Sequence, residues 1–161
     1  MPTRRDFIKF GSTGVAGVLA AQSLAPRADA DNPARYPVVT IAQLKDVGPG
    51  VAIAFAYPDA GSPAILLRLT EAATNGVGPG RDIVAFSTLC THKGCPVTFK
   101  PERKMFICPC HWSTFDPAKA GALIIGQASQ QLPQIELRVN NGVVEAVGVN
   151  GLIYGRHTNL V

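Results

Sequence analysis

Short apolar runs cut by turn residues predict an all-β domain. Sixteen Gly and 13 Pro are scattered between runs of Val, Ile, Leu and Phe rather than massed in one tract. Helical periodicity is weak, and Asn140-Asn141-Gly142 stands between two alternating runs as a hairpin signal. The length of 161 residues favours one domain plus a processed end. With 47% hydrophobic and 16% charged residues, the chain can bury a real core and does not have the composition of a disordered one.

The expected strands run in order. They are Val38–Ile41, Val51–Tyr57, Ala64–Leu69, Ile83–Ser87, Met105–Cys108, Leu123–Ile125, Ile135–Val139, Val143–Val149 and Leu152–Tyr154. Breaks are expected at Gly48-Pro49-Gly50, Pro58–Pro63, Asn75–Gly80 and the Asn-Gly hairpin, with one turn of helix over Glu71–Asn75. The stretch 87–116 differs from its surroundings. It holds all four cysteines and two of the three histidines, and reads as a small subdomain inserted into the β scaffold.

Residues 1–30 read as an export leader. Arg4, Arg5 and Lys9 form a basic start, Gly11–Leu24 a mild apolar run, and Ala28-Asp29-Ala30 a small-x-small cleavage site. Arg4-Arg5 followed by Phe7, Ile8 and Lys9 resembles the twin-arginine signal, which implies export of a folded protein to the periplasm. Two other readings are an amphipathic surface helix and an uncleaved anchor. The anchor is stretched, because a spanning helix needs about 20 apolar residues. Cleavage after Ala30 is expected, leaving 31–161 as the mature domain without membrane contact. The leader accounts for +2 of the formal net charge of +4 (Arg4, Arg5, Lys9 and Arg27 against Asp6 and Asp29), so the remainder carries +2. No Lys/Arg stripe with interleaved aromatics is left to suggest nucleic acid.

Two boxes carry the chemistry: Cys90-Thr91-His92-Lys93-Gly94-Cys95 and Cys108-Pro109-Cys110-His111-Trp112-Ser113-Thr114-Phe115. Each supplies a Cys and a His from one tight loop, so two facing loops can enclose a metal group. The pattern resembles the C-x-H…C-x-x-H signature of Rieske proteins, in the variant with one additional Cys per box. The resemblance implies a Rieske-type antiparallel β sandwich or barrel with an inserted cluster-binding subdomain, and one [2Fe–2S] cluster. In such a cluster Cys90 and Cys108 would bind one iron, and His92 and His111 the other. Replacing two thiolates by neutral imidazoles removes negative charge and eases reduction, giving Rieske centres potentials of about −150 to +300 mV.

The resemblance further implies a disulfide between Cys95 and Cys110. Closing a loop of roughly 15 residues is worth about 3 kcal/mol in the chain-entropy model, and such a bond suits an oxidising compartment. A structural zinc site also uses Cys₂His₂. Zinc leaves unexplained the extra Cys in each box and Gly94, Pro109 and Ser113 at their Rieske positions. A disulfide scaffold with incidental histidines fits poorly with so apolar a chain.

Three residues are expected to tune or shield the cluster. Ser113 stands where many higher-potential Rieske proteins place a hydroxyl that bonds a cluster sulfide, which stabilises the reduced state. Phe115 stands where those proteins have Tyr, so an intermediate potential follows, with packing as the simpler role for this ring. Trp112 replaces a usual Gly, and could shield the cluster, dock a partner or simply be buried. Gly126–Pro133 falls where the family has a third, cluster-covering loop. His157 and the run Lys100, Arg103, Lys104 read as surface.

Within the family, the chain is similar to the small subunits of bacterial arsenite oxidases. The resemblance lies in the leader, the Cys-Pro-Cys-His-Trp-Ser-Thr-Phe box, the segment from Gly126 to Ile135 and the ending Gly148–Arg156. It implies a periplasmic heterodimer with a molybdopterin large subunit that carries a [3Fe–4S] cluster and oxidises arsenite. Electrons would leave through this chain to a c-type cytochrome or small copper protein, and no residue here would bind arsenic. The alternative is the Rieske subunit of a quinol–cytochrome c oxidoreductase, which needs an anchor and a mobile linker. A ferredoxin or ring-hydroxylating component is disfavoured by the leader and by the second cysteine pair.

Overall fold

The computed structural model describes residues 36–161. The predicted leader and its cleavage site lie outside the described residues. Among the described residues, ten strands form two antiparallel sheets. The large sheet takes β1 (Val39–Gln43), β2 (Ala52–Ala56), β3 (Pro63–Arg68), β4 (Ile83–Ser87), β9 (Gln134–Asn140) and β10 (Val143–Asn150), in the order β1-β10-β9-β4-β3-β2. The small sheet takes β5 (Thr98–Lys100), β6 (Met105–Ile107), β7 (Thr114–Asp116) and β8 (Ala122–Ile125) in chain order. Among the described residues, no helix is long and apolar enough to cross a membrane.

Successive side chains of a strand point to opposite faces, and β4 shows what that does here. All five of its residues are buried. Val84 and Phe86 join Leu67, Phe106, Phe115 and Leu132 in one core, which fills the space between the large and small sheets. Ile83 and Ala85 join Leu66, Ile135, Val144 and Ala146 in a second core on the other face. Phe106 sits edge-on to both Phe86 and Phe99, with ring centroids 5.5 Å away in each case, and so couples the small sheet to the large one. Cys90 and Cys108 belong to the first core, so the small sheet presents its loops from a packed base.

The Asn-Gly hairpin forms as expected. Asn140 pairs with Val143, leaving Asn141 and Gly142 as a two-residue turn with φ of 49° and 78°, the left-handed pair that matches strand twist. Three expectations need correction. Glu71–Asn75 makes no helical turn; it is an irregular turn with Asn75 at φ 58° and Ala73 N–H donating to Arg81 O. The small sheet extends beyond 87–116, because β8 pairs with β7 as far as Ile125.

Leu152–Tyr154 is not a strand. Its exposed–buried–exposed alternation mimics one, but the backbone bonds come from a side chain. Ile153 N–H donates to Asn159 Oδ1 (3.0 Å), and Asn159 Nδ2 donates to Gly151 O (2.7 Å). Arg156 then pairs with Asp59, tying this tail to the loop between β2 and β3.

The bond from Arg156, helped by Ser62 and Gly61 N–H, holds the Asp59 carboxyl below its ordinary value, against a smaller effect of burial. A carboxylate with a depressed folded-state pKa contributes stability above its unfolded pKa, and that contribution is lost as pH falls through the folded value. Amide protection across residues 152–160, taken relative to the intrinsic exchange rate at each pH, should therefore fall on acidification below the ordinary carboxylate range. Asp59→Asn should show the lower protection already at neutral pH.

Candidate metal centre

The two boxes fold into the same loop. Loop 1 joins β4 to β5 and loop 2 joins β6 to β7. In loop 1, Cys90 N–H donates to Cys95 O (2.9 Å) and Gly94 N–H donates to Cys90 O (2.8 Å). In loop 2, Cys108 N–H donates to Ser113 O (2.8 Å) and Trp112 N–H donates to Cys108 O (3.0 Å). Each frame needs a left-handed residue at its fifth position, and these are Gly94 at φ 72° and Trp112 at φ 60°. Glycine takes that conformation freely, whereas a Cβ costs roughly 1–2 kcal/mol.

The frames carry their donors at different offsets, His92 third in loop 1 and His111 fourth in loop 2. The rings nevertheless meet. Their Nδ1 atoms are 3.2 Å apart, with centroids at 4.7 Å and planes at 83°. Two ring nitrogens so close, each with an in-plane lone pair, can both reach one metal ion. Cys90 and Cys108 are each 1% exposed and close enough to interact. Burial pushes the Cys90 thiol up; the backbone N–H groups of His92 and Lys93 oppose this, and the Cys108 sulfur adds to it. A bare thiolate is therefore disfavoured here, while a metal that neutralises it finds N–H donors already aimed at the sulfur.

Cys95 and Cys110 are joined across the two loops, 15 residues apart in sequence. Their sulfurs lie within 4.8 Å of the Cys108 sulfur. That trio is not a metal site, because two of its members are spent on the disulfide. The free thiols are Cys90 and Cys108. The donor set is thus two buried sulfurs on the core side and two imidazoles on the outer side, His92 half-buried and His111 exposed. This fits a group with two metal ions of different preference. A mononuclear zinc site would not need the sulfurs and nitrogens segregated in this way.

The remaining predicted residues divide sharply. Ser113 is fully buried, and its Oγ accepts a bond from Ala128 N–H at 3.0 Å. Phe115 is fully buried and pairs with Phe106 across β6–β7. Trp112 is 70% exposed, which removes burial as its reason for being there. His157, Lys100, Arg103 and Lys104 are exposed, with Lys104 paired to Glu71 at 3.3 Å. A cavity of about 310 Å³ opens beside Leu69, Phe99 and Met105; Arg103 and Lys104 line it, but none of the predicted ligand, disulfide or tuning residues does.

Four contacts at the site were not anticipated. Thr91 Oγ1 donates to Gln130 O at 2.9 Å, and Ala128 N–H meets Ser113. Gly126 lies so close to Ser113 that a Cβ would fall 2.3 Å from its Cα. Tyr154 packs on Gly94, where a Cβ would fall 2.5 Å from the ring. Only the two glycines leave any trace in the sequence, and a glycine in a turn-rich chain does not say what approaches it.

Comparison with known proteins agrees with this geometry. A family profile described as Rieske [2Fe-2S] domain matches residues 38–136. The iodate reductase subunit IdrB of Denitromonas iodatirespirans is 39% identical over 165 residues, covering 98% of this chain and 86% of the relative. The iodate reductase subunit IdrB of Pseudomonas sp. (strain SCT) is 39% identical over 158 residues, covering 95% and 82%. The soluble domain of Rieske protein II (soxF) from Sulfolobus acidocaldarius superposes with a TM-score of 0.65 at 24% identity, covering 76% of this chain and 82% of that one, and shares the fold.

The disulfide closes the pair of loops from outside. Replacing both Cys95 and Cys110 by Ser should cost about 3 kcal/mol by loop-closure entropy. Chemical unfolding of the metal-free protein should read that loss. The holoprotein should lose its visible colour faster, as the loops separate.

Proposed function

The chain belongs to the Rieske [2Fe–2S] family, and from that premise we propose that Cys90 and Cys108 hold one iron of its single cluster and His92 and His111 the other. The convergence of the two histidine Nδ1 atoms at 3.2 Å carries this reading. Such a cluster supplies one-electron transfer. The chain's own residues decide how. Cys90 and Cys108 keep the sulfur side inside the core, whereas the exposed His111 ring offers the outer side to a redox partner. Ser113 uses an acceptor lone pair on Ala128, which leaves its hydroxyl proton available to the cluster; that bond favours the more negative, reduced state. Phe115 offers no hydroxyl, so one tuning bond is kept where higher-potential relatives keep two.

The chain then acts as the electron-transfer subunit of a two-subunit molybdopterin oxidoreductase that works on an oxyanion held by its large subunit. Arsenite oxidation, with electrons leaving to a periplasmic c-type cytochrome or small copper protein, is the reading carried by resemblance to arsenite oxidase small subunits. Iodate reduction, with electrons arriving through this chain, is a second reading, favoured by the 39% identity to two iodate reductase subunits over nearly the whole chain. Both readings put the complex in the periplasm, delivered by the twin-arginine leader.

Purifying the native complex and watching the cluster's visible spectrum separates them. Arsenite should reduce the oxidised cluster if arsenite oxidation is the function. Iodate should reoxidise the reduced cluster if the second reading holds. A complex without molybdenum, whose cluster responds only to a quinol, would overturn both.

A further inference from the structure

We infer that the third loop, between β8 and β9, orients the Ser113 hydroxyl through Gly126 and the Ala128 N–H, and so sets the cluster's reduction potential without supplying a ligand. The inference rests on the cluster assignment proposed above. Its own ground is the contact between this loop and Ser113.

Ser113 is held by two independent sets of contacts. Its carbonyl accepts the Cys108 N–H that closes loop 2, so its backbone is fixed with the ligand loop. Its side chain is fixed by the third loop instead, since Oγ accepts the Ala128 N–H at 3.0 Å in a buried bond. A serine hydroxyl has one proton and two lone pairs, and its proton rotates to suit its surroundings. Filling a lone pair from Ala128 narrows the directions left to the proton. Ser113 is fully buried and Ala128 is 7% exposed, so the bond has little competition from solvent.

The approach that makes this bond possible requires glycine. Gly126 has φ of 117°, and a Cβ there would fall 2.3 Å from Ser113 Cα, 2.7 Å from its N and 2.8 Å from its Oγ. Any other residue must push the loop and Ser113 apart. The loop is also pinned at both ends and in the middle. Ile125 pairs with Thr114 before it, and Leu132 N–H donates to Gly121 O at its far end. Between them Gln130 O accepts from Thr91 Oγ1, next to His92. The loop is thus registered against both ligand loops at once. Gly126 and Ala128 are positioning residues that act through Ser113.

The test is a double-mutant cycle on the full chain with its cluster, reading midpoint potential by EPR-monitored redox titration. Gly126→Ala and Ala128→Pro, which removes the N–H, are each made with Ser113 present and with Ser113→Ala. Each should lower the potential when Ser113 is present, as Ser113→Ala itself does, and should change it little further once Ser113 is gone. Ser113→Thr, which keeps a hydroxyl, should restore much of the loss. Equal shifts in both backgrounds would overturn the inference and assign the loop a general packing or solvent-excluding role. No shift with Ser113 present would overturn it as well. Should a third-loop variant fail to fold, amide exchange gives the same decision: the Ala128 N–H should exchange markedly faster in Ser113→Ala than in the unaltered chain, and an unchanged rate contradicts the bond. If the unaltered protein gives no Rieske-type EPR signal, the cluster assignment itself fails, an outcome distinct from those above.

Discussion

Cys90 and Cys108 close their loops with the same two backbone bonds, to the carbonyl five residues on and from the N–H four residues on. That shared frame constrains everything around it. It fixes where each sulfur leaves the backbone, it demands a left-handed residue at Gly94 and Trp112, and it brings the two imidazoles together edge to face. The frame is rigid because it stands on the core formed by Phe86, Phe106, Phe115 and Leu132, with each cysteine packed into that core. The disulfide between Cys95 and Cys110 then ties one frame to the other.

The two sides of the site differ in polarity. The Cys90 and Cys108 sulfurs in the apolar core are shielded from water, whereas the histidine edge is accessible. Trp112 stands on the accessible side, 70% exposed in a conformation that glycine would adopt at less cost. Core packing does not account for an aromatic held there.

Much of this was legible in the sequence, for reasons that can be named. β4 and the β9–β10 hairpin were readable because Ile83, Val84, Ala85 and Phe86 form a continuous apolar run and Asn141-Gly142 fits only a tight turn. The three-residue strands Thr98–Lys100 and Thr114–Asp116 were not, since three residues carry too little alternation to show a period. Leu152–Tyr154 alternated correctly, yet the side chain of Asn159 supplies the bonds that a neighbouring strand would have made. At the site, the cysteines and histidines announced themselves by spacing. The third loop's grip on Ser113 did not, because it depends on a backbone N–H and on the absence of a Cβ at Gly126, neither of which a sequence displays.

The proposed centre has two irons, one held through the sulfurs of Cys90 and Cys108 and the other through the nitrogens of His92 and His111. Mössbauer spectroscopy of protein matured with isotopically enriched iron tests it directly. Two unlike iron environments in equal amount are expected. A single iron environment, or a centre that contains no iron, would contradict it.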